Sequence, residues 1–386
     1  MKKITIIGGC GHVGLPLGLA FASKGNLVHL LDINQRAVEL INMKKLPFKE
    51  EGAQELLDRH VGRELKATMD PEILKSQDVV VFVTGTPVDE HHNPRIQDVV
   101  KVIDIYAKYL NPNQLIILRS TLFPGVLELT QELLKRKMGI TKVAFCPERI
   151  VQGKGIEEIS QLPQLVSGMT PEAEQEAADL FSTLTSKVIP LSPTEAEIAK
   201  LMTNSWRYLE FAIANQFYMM VEAQGLDFHK IYRAIREDYP RAQHYARPGL
   251  AAGPCLFKDT MQLSAFHNNN FFLGQSAMLV NEGLPGFLVH RLEQKMGSLK
   301  GKKIALLGMT FKANNDDTRE SLSFKVKKLL EFKMTHVMCS DPYLPETLSL
   351  SEALENADGV ILGVPHREYL ELKISRPFVD CWGVWT

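Results

Sequence analysis

Gly9, Gly11 and Gly14 follow the apolar run Ile4-Thr5-Ile6-Ile7 at the start of the chain. A Gly-x-Gly-x-x-Gly turn between a buried strand and a helix leaves few folds open. The first glycine permits a tight turn, the second lets the backbone approach a pyrophosphate, and the third lets helix and strand pack. The anion then sits at the helix N-terminus. His12 and Val13 complete the turn. Asp32 ends the next apolar run eighteen residues after Gly14, where a carboxylate can accept both ribose hydroxyls. That choice favours NAD over NADP, whose 2′-phosphate it would repel; Arg36 nearby blurs the preference. A glycine turn at some other strand–helix junction is the plainer reading, but its position, the helix after it and Asp32 together favour a dinucleotide.

Strand-like runs at 5–7, 27–31, 79–83, 115–118 and 143–145 alternate with helical segments, which implies a mostly parallel sheet with helices on both faces. Two loops fall at carboxyl ends of such strands, where ligands gather: Thr84-Gly85-Thr86-Pro87 and Ser120-Thr121-Leu122-Phe123-Pro124-Gly125. The same residues also make ordinary turns. After Pro190 the pattern changes. Between Pro193 and Gly225 there is neither proline nor glycine, while Ile198, Leu201, Met202, Leu209, Ala212, Ile213, Phe217, Met220 and Val221 recur at helical spacing. The spacing predicts one helix of about 45 Å, entered through Ser192-Pro193-Thr194-Glu195 and stopped at Gly225. Further helices are expected at 228–237, 260–266 and 275–295. Beyond the polar break 297–302, strands return at 304–307, 335–339 and 359–364 with a helix at 321–332, although Gly308-Met309-Thr310-Phe311 is no dinucleotide turn. The expected fold is α/β: two doubly wound Rossmann-like domains, 1–192 and 299–386, joined by a long spine helix and a small helical central domain, 193–298, that serves as a dimerisation platform.

A net charge of −1 excludes an extended nucleic-acid surface. The longest uncharged stretches fall short of a membrane span, and the first apolar run breaks too early at Gly8-Gly9 for a signal peptide. Five cysteines without a C-x-x-C suggest neither a disulfide framework nor a zinc site, so a cytoplasmic enzyme is expected. Cys10, Cys146, Cys339 and Cys381 read as packed thiols. Cys255 differs. It lies in Gly253-Pro254-Cys255-Leu256-Phe257-Lys258-Asp259, where a lysine, or a helix starting near Lys258, would favour the thiolate that attacks carbonyls. Lys200 and Asn204 share a helix face. Such a pair is usually solvated surface, but on the buried edge of an apolar helix it would polarise a substrate oxygen. Glu148, after a strand end, would hold or activate water, unless it is simply paired with Arg149 or another base.

These residues carry a resemblance. Cys146-Pro147-Glu148-Arg149, Ser120-Thr121-x-x-Pro124-Gly125, Glu197-x-x-Lys200-x-x-x-Asn204, Gly253-Pro254-Cys255-x-x-Lys258-Asp259 and Gly308-x-x-Phe311-Lys312-x-x-x-x-Asp317-x-Arg319-x-Ser321, together with the opening glycines, resemble the UDP-glucose/GDP-mannose dehydrogenase family along nearly the whole chain. The resemblance implies a four-electron, NAD-dependent oxidation of the C6 hydroxymethyl of a UDP-sugar. Lys200 and Asn204 would stabilise the alkoxide and Cys255 would capture the aldehyde. Thr121, Glu148 and Asp259 would hold the water that hydrolyses the thioester. It also implies cofactor contacts from Thr84, Thr86, Pro87, Ser120, Thr121 and Arg319, and nucleotide contacts from Phe311 and Lys312. Sugar and diphosphate contacts would come from Glu148, Arg149, Ile150, Val151 and the loop 246–252 with Gly249. Arg241 and Arg247 are alternatives for an arginine lent across a homodimer.

Pro-Glu-Arg-Ile, where glucose and mannose oxidisers tend to carry Pro-Glu-Phe-Leu, resembles the branch acting on UDP-N-acetylhexosamines such as UDP-N-acetylmannosamine. Ala-Gly-Pro replaces the family's common Gly-Gly-Ser approach to the cysteine. UDP-glucose oxidation, a two-electron hydroxyacid dehydrogenase of the 6-phosphogluconate type and a non-catalytic dinucleotide sensor are the rival readings. The last two have no use for Cys255.

Overall fold

The apolar runs of the first half become one sheet of eight strands in the order β3-β2-β1-β4-β5-β6-β7-β8. Its strands are β1 (Lys3–Ile7), β2 (Leu27–Leu31), β3 (Leu65–Thr68), β4 (Val79–Phe82), β5 (Leu115–Leu118), β6 (Val143–Phe145), β7 (Gln164–Gly168) and β8 (Val188–Pro190). This computed structural model describes residues 1–86, 88–89, 93–251 and 253–385. The chain packs as two units, Met1–Met202 and Thr203–Thr386. In the first unit β6 and β7 run antiparallel, while the other pairs are parallel.

Successive residues of a strand face opposite sides, so the fully buried β4 and β5 feed two cores. Val79, Val81, Leu115 and Ile117 pack in one core with Leu15, Leu17 and Phe21 of α1 (Gly14–Ser23). Val80, Phe82, Ile116 and Leu118 pack in the other. The remaining helices of this unit are α2 (Gln35–Asn42), α3 (Ala53–His60), α4 (Ile96–Ala107), α5 (Val126–Met138), α6 (Gly155–Gln161) and α7 (Pro171–Ser182). Each fully buried leucine or isoleucine contributes about 1.5–3 kcal/mol, which fixes strand register against slippage. Since β2 flanks β1 on one side and β4 on the other, the order reverses at β1/β4, and a crevice is expected at the carboxyl ends there.

Helix α8 (Pro193–Ala223) is the predicted long helix, starting and ending where proline and glycine require; Gly225 adopts φ +72°. It begins in the first unit and continues into the second. There follow α9 (Phe228–Arg236), α10 (Leu256–Phe266), α11 (Phe272–Met296), α12 (Ser323–Phe332) and α13 (Leu350–Glu355). The second sheet is parallel, in the order β10-β9-β11-β12, from β9 (Lys303–Leu307), β10 (His336–Ser340), β11 (Gly359–Leu362) and β12 (Phe378–Asp380). Ile304, Leu306 and Ile361 face Leu288 and Leu292 of α11 and Val326 and Leu330 of α12. Ala305, Leu307, Val360 and Leu362 face the cluster of Ala353, Tyr369 and Trp385. Strands β3, β7, β8 and β12 were not legible as apolar runs: β7 is Gln-Leu-Val-Ser-Gly, with polar residues and glycine at its ends, and β3, β8 and β12 are short sheet edges, where polar residues and Pro190 are tolerated.

Candidate active site

In the first unit the glycine turn leaves β1 with Gly8 at φ +75° and its N–H on Leu31 O at 2.9 Å. A Cβ on Gly9 would lie 2.7 Å from Leu30 Cα, and one on Gly14 would lie 2.5 Å from Gly8 O, so the fold itself demands glycine at both. Gly11 is different. A Cβ there meets only Gly8 O, at an ordinary 3.5 Å, so nothing in the chain requires its absence. A pyrophosphate at the N-terminus of α1 would require it, and the turn fits NAD on that ground. Asp32 Oδ2 accepts Cys10 N–H and Oδ1 accepts Asn34 N–H, both at 3.0 Å, which aims the carboxylate from the end of β2. Ile33 beside it is 84% exposed, an apolar face next to the ribose acceptor that sequence reading passed over. Arg36 is exposed in the first turn of α2. His12 lies against the Phe48 ring at 3.9 Å, with Nδ1 3.0 Å from Gln152 Nε2, while Val13 precedes α1.

At the neighbouring strand ends, Thr84 N–H donates to Ser120 Oγ at 2.8 Å, and Thr86 and Thr121 are buried. Pro87 lies outside the described residues. Glu148 is paired, but the partner is Arg119 and not Arg149. Its Oε1 accepts the N–H groups of Arg149 and Ile150 at 2.7 and 2.9 Å. The Arg149 guanidinium turns to Pro163 O instead, and burial lowers its pKa from the ordinary value despite Glu148. Ile150 and Val151 are half-buried; Val151 N–H donates to Glu158. Arg119, itself buried, also donates to Cys146 O at 3.0 Å and Gln164 Oε1 at 2.9 Å. Its sequence signal was a charge closing an all-apolar strand. Lys200 is buried on α8. One turn before it, Glu197 accepts Gly125 N–H at 2.8 Å and Leu127 N–H at 2.9 Å, tying the start of α8 to the loop that carries Ser120 and Thr121. Burial raises the Glu197 pKa against those two bonds.

In the second unit Asn204 is buried and donates from Nδ2 to Asp259 Oδ2 at 2.6 Å. Lys200 and Asn204 are thus both removed from solvent, contrary to the surface alternative. Cys255 is exposed and caps α10, which begins at Leu256, ahead of the expected 260–266. The positive end of the helix dipole therefore lies at its own residue, an environment that favours a negative sulfur. Lys258 Nζ approaches Asp259 Oδ1 at 3.4 Å, and the charge of Arg319 couples to Cys255. Arg319 is held by Asp317 through Nε and NH2 at 3.0 and 2.6 Å, and that bond, opposed by desolvation and helped by the charges of Asp317 and Cys255, raises its pKa.

Gly253, at φ +101°, donates N–H to Glu320 O at 3.3 Å, and a Cβ there would strike the Phe311 ring at 2.6 Å. Phe311 and Arg319 thus converge on the turn that presents Cys255. Gly249 is fixed from both sides by Asn215, which accepts its N–H at 2.8 Å and donates to its O at 3.0 Å. A Cβ at Gly249 would meet Trp382 at 2.2 Å; neither Asn215 nor Trp382 was foreseen. Of the expected loop 246–252, residue 252 lies outside the described residues. Lys312 is half-buried, and its O accepts Thr310 Oγ1 at 3.0 Å. Arg241 is exposed and stacks on Tyr239, its Nε donating to the phenol oxygen at 2.8 Å. Arg247 is exposed and lies 6.0 Å from the Tyr232 ring centroid.

Residues 2–185 match the NAD binding domain of the UDP-glucose/GDP-mannose dehydrogenase family, 194–282 its central domain and 305–386 its UDP binding domain. A UDP-N-acetyl-D-mannosamine dehydrogenase of Methanocaldococcus jannaschii is 30% identical over 381 residues, covering 95% of this chain and 86% of that one. Among solved structures, a UDP-D-ManNAc dehydrogenase from Pyrococcus horikoshii superposes with a TM-score of 0.92 at 26% identity, over 100% of this chain and 96% of that one. A UDP-glucose dehydrogenase from Pyrobaculum islandicum gives 0.91 at 25%, over 100% and 95%.

Proposed function

The chain belongs to the UDP-glucose/GDP-mannose dehydrogenase family, and from that premise we propose that it oxidises the C6 hydroxymethyl of a UDP-N-acetylhexosamine, of the N-acetylmannosamine type, to the carboxylate. It is an NAD-dependent nucleotide-sugar dehydrogenase. Bound NAD supplies the hydride acceptor for each two-electron step. The rest falls to side chains. Lys200 and Asn204, buried one turn apart on α8, support the alkoxide of the alcohol. Cys255 adds its sulfur to the C6 aldehyde, holding as a thiohemiacetal what would otherwise diffuse away between the two oxidations. After the second hydride leaves, the thioester is cleaved by water that Thr121, Glu148 and Asp259 hold. In that step the carbonyl carbon gains oxygen and the thiolate departs. Glu148, already held by Arg119 and two amides, is suited to ordering that water as a fixed acceptor.

The observation that carries the reading is Cys255 at the head of α10, with Asp259 fully buried one turn on. Neither a two-electron dehydrogenase nor a sensor needs that pair. UDP-glucose is the second reading, favoured by the Pyrobaculum structure's similarity. Turnover with UDP-N-acetylmannosamine, UDP-N-acetylglucosamine and UDP-glucose, counting NADH per sugar consumed, tests both. Two NADH per N-acetylated sugar, with Cys255→Ser halted before acid release, is the expected result. One NADH per sugar, indifferent to that substitution, sinks it. We place the enzyme in the cytoplasm as a homodimer. Among the described residues no helix is long and apolar enough to cross a membrane, and α8 exposes an apolar stripe.

A further inference from the structure

Three neighbouring strands of the second sheet end on one buried polar cluster. Thr310 follows β9, Asp341 follows β10 and His366 follows β11, and all three are buried, His366 and Thr310 completely. Asp341 Oδ2 accepts Met309 N–H at 2.6 Å and Thr310 N–H at 3.1 Å, and lies 3.0 Å from His366 Nε2. On the other side of the imidazole, Nδ1 receives Asn314 N–H at 3.0 Å. A backbone N–H can only donate. Nδ1 must therefore carry a lone pair, so Nε2 holds the ring's proton and gives it to Asp341. The ring is fixed as the neutral Nε2–H tautomer, a bridge between a carboxylate and a loop.

That loop runs from Met309 to Arg319. Asn314 sits in it at φ +58°, with its Oδ1 accepting Arg367 N–H at 3.0 Å. Thr310 Oγ1 donates to Lys312 O, and Phe311 N–H donates to Asp317 O at 2.9 Å. Phe311 and Lys312 are thus suspended between Thr310 and Asn314, both of which His366 touches. We propose that His366 is a positioning residue: its Nδ1 lone pair latches Asn314 and so pre-arranges Phe311 and Lys312 for the uridine diphosphate. This rests on the reading of those two residues as nucleotide contacts. A group that acts through loop position alters nucleotide binding without touching the nucleotide itself.

His366→Leu keeps bulk and removes the acceptor, whereas His366→Asn keeps an acceptor oxygen and loses bulk. With UDP as the probe, calorimetry is expected to show at least a tenfold weaker Kd for the leucine variant and a loss under threefold for asparagine. KM for the UDP-sugar should follow, rising with leucine and staying near the parent with asparagine. Deuterium exchange of 309–319 in the absence of any ligand should quicken with leucine and not with asparagine. Leucine matching the parent, or both variants failing alike, overturns the latch. Should leucine prevent folding, imidazole 15N shifts of the unaltered protein decide, and a proton on Nδ1 of His366 overturns it. If the unaltered protein binds no UDP while the exchange pattern and tautomer hold, the nucleotide reading of Phe311 and Lys312 is what fails, and the latch then fixes the loop without serving that ligand.

Discussion

At the scale of single residues, the glycine turn divides into positions the fold demands and one it does not. Gly9→Ala drives a methyl to 2.7 Å from Leu30 Cα, and such overpacking against backbone costs about 1–3 kcal/mol. Gly11→Ala meets ordinary contact only, so thermal unfolding should move by less than about 0.5 kcal/mol while the KM for NAD rises at least tenfold. Equal losses of stability in the two variants would remove the argument that Gly11 is kept open for a ligand. The cysteines divide in the same way. Burial, with Asp32 adding to it, pushes the Cys10 thiol up to about 12, and burial pushes Cys146 to about 12 against Arg119. Both remain protonated thiols at pH 8, and the thiolate is the reactive form. Iodoacetamide at pH 8 should therefore label Cys255 first and leave Cys10 and Cys146 intact in the folded protein, as peptide mass spectrometry would read. Early labelling of Cys10 contradicts this.

At the scale of elements, Glu197 shows how a helix that carries a functional lysine is held to the loop beside it. Its carboxylate accepts two N–H groups at the start of α5, the work a cap performs, and removing a cap costs about 0.5–2 kcal/mol. Glu197→Ala is expected to lower the thermal midpoint accordingly. It should also raise the KM for NAD and reduce kcat, since the freed loop bears Ser120 and Thr121. An unchanged kcat in the folded variant would confine Glu197 to stability. The sequence showed this pair of elements only as separate motifs. The periodicity of α8 and the glycine turn were legible, as were β4 and β5, because burial on both faces leaves an unbroken apolar run. The edge strand β3, Leu65-Lys66-Ala67-Thr68, was not, since an edge needs only one apolar face. Glu148 was legible as a site residue but its partner was not: Arg119 lies twenty-nine residues away, and pairing across adjacent strand ends leaves no local pattern. Asn215 holding Gly249 and Trp382 covering it were hidden for the same reason.

At the scale of the whole molecule, α8 presents a row of large exposed apolar side chains. Trp206, Ile213, Phe217 and Met220 on α8 are 61%, 48%, 47% and 56% exposed, at intervals of seven, four and three residues that set them on one side of the helix. Scattered exposed apolar residues are ordinary, but a contiguous stripe of large ones marks an interface. A net charge of −1 adds little repulsion between copies. A symmetric dimer would bring the same stripe from each copy together, as an isologous contact requires. Trp206 and Phe217 would be its anchors, since large aromatic side chains dominate such contacts. Light scattering at micromolar concentration is expected to give twice the 43.4 kDa chain mass. The double variant Trp206→Glu/Phe217→Glu should return it to that of one chain, because two buried, unpaired carboxylates per protomer are far costlier than the contact they replace. Far-ultraviolet circular dichroism of the variant separates dissociation from unfolding. A parent protein that is monomeric at these concentrations, or a variant that stays dimeric with its helices intact, would assign the stripe to something other than self-association.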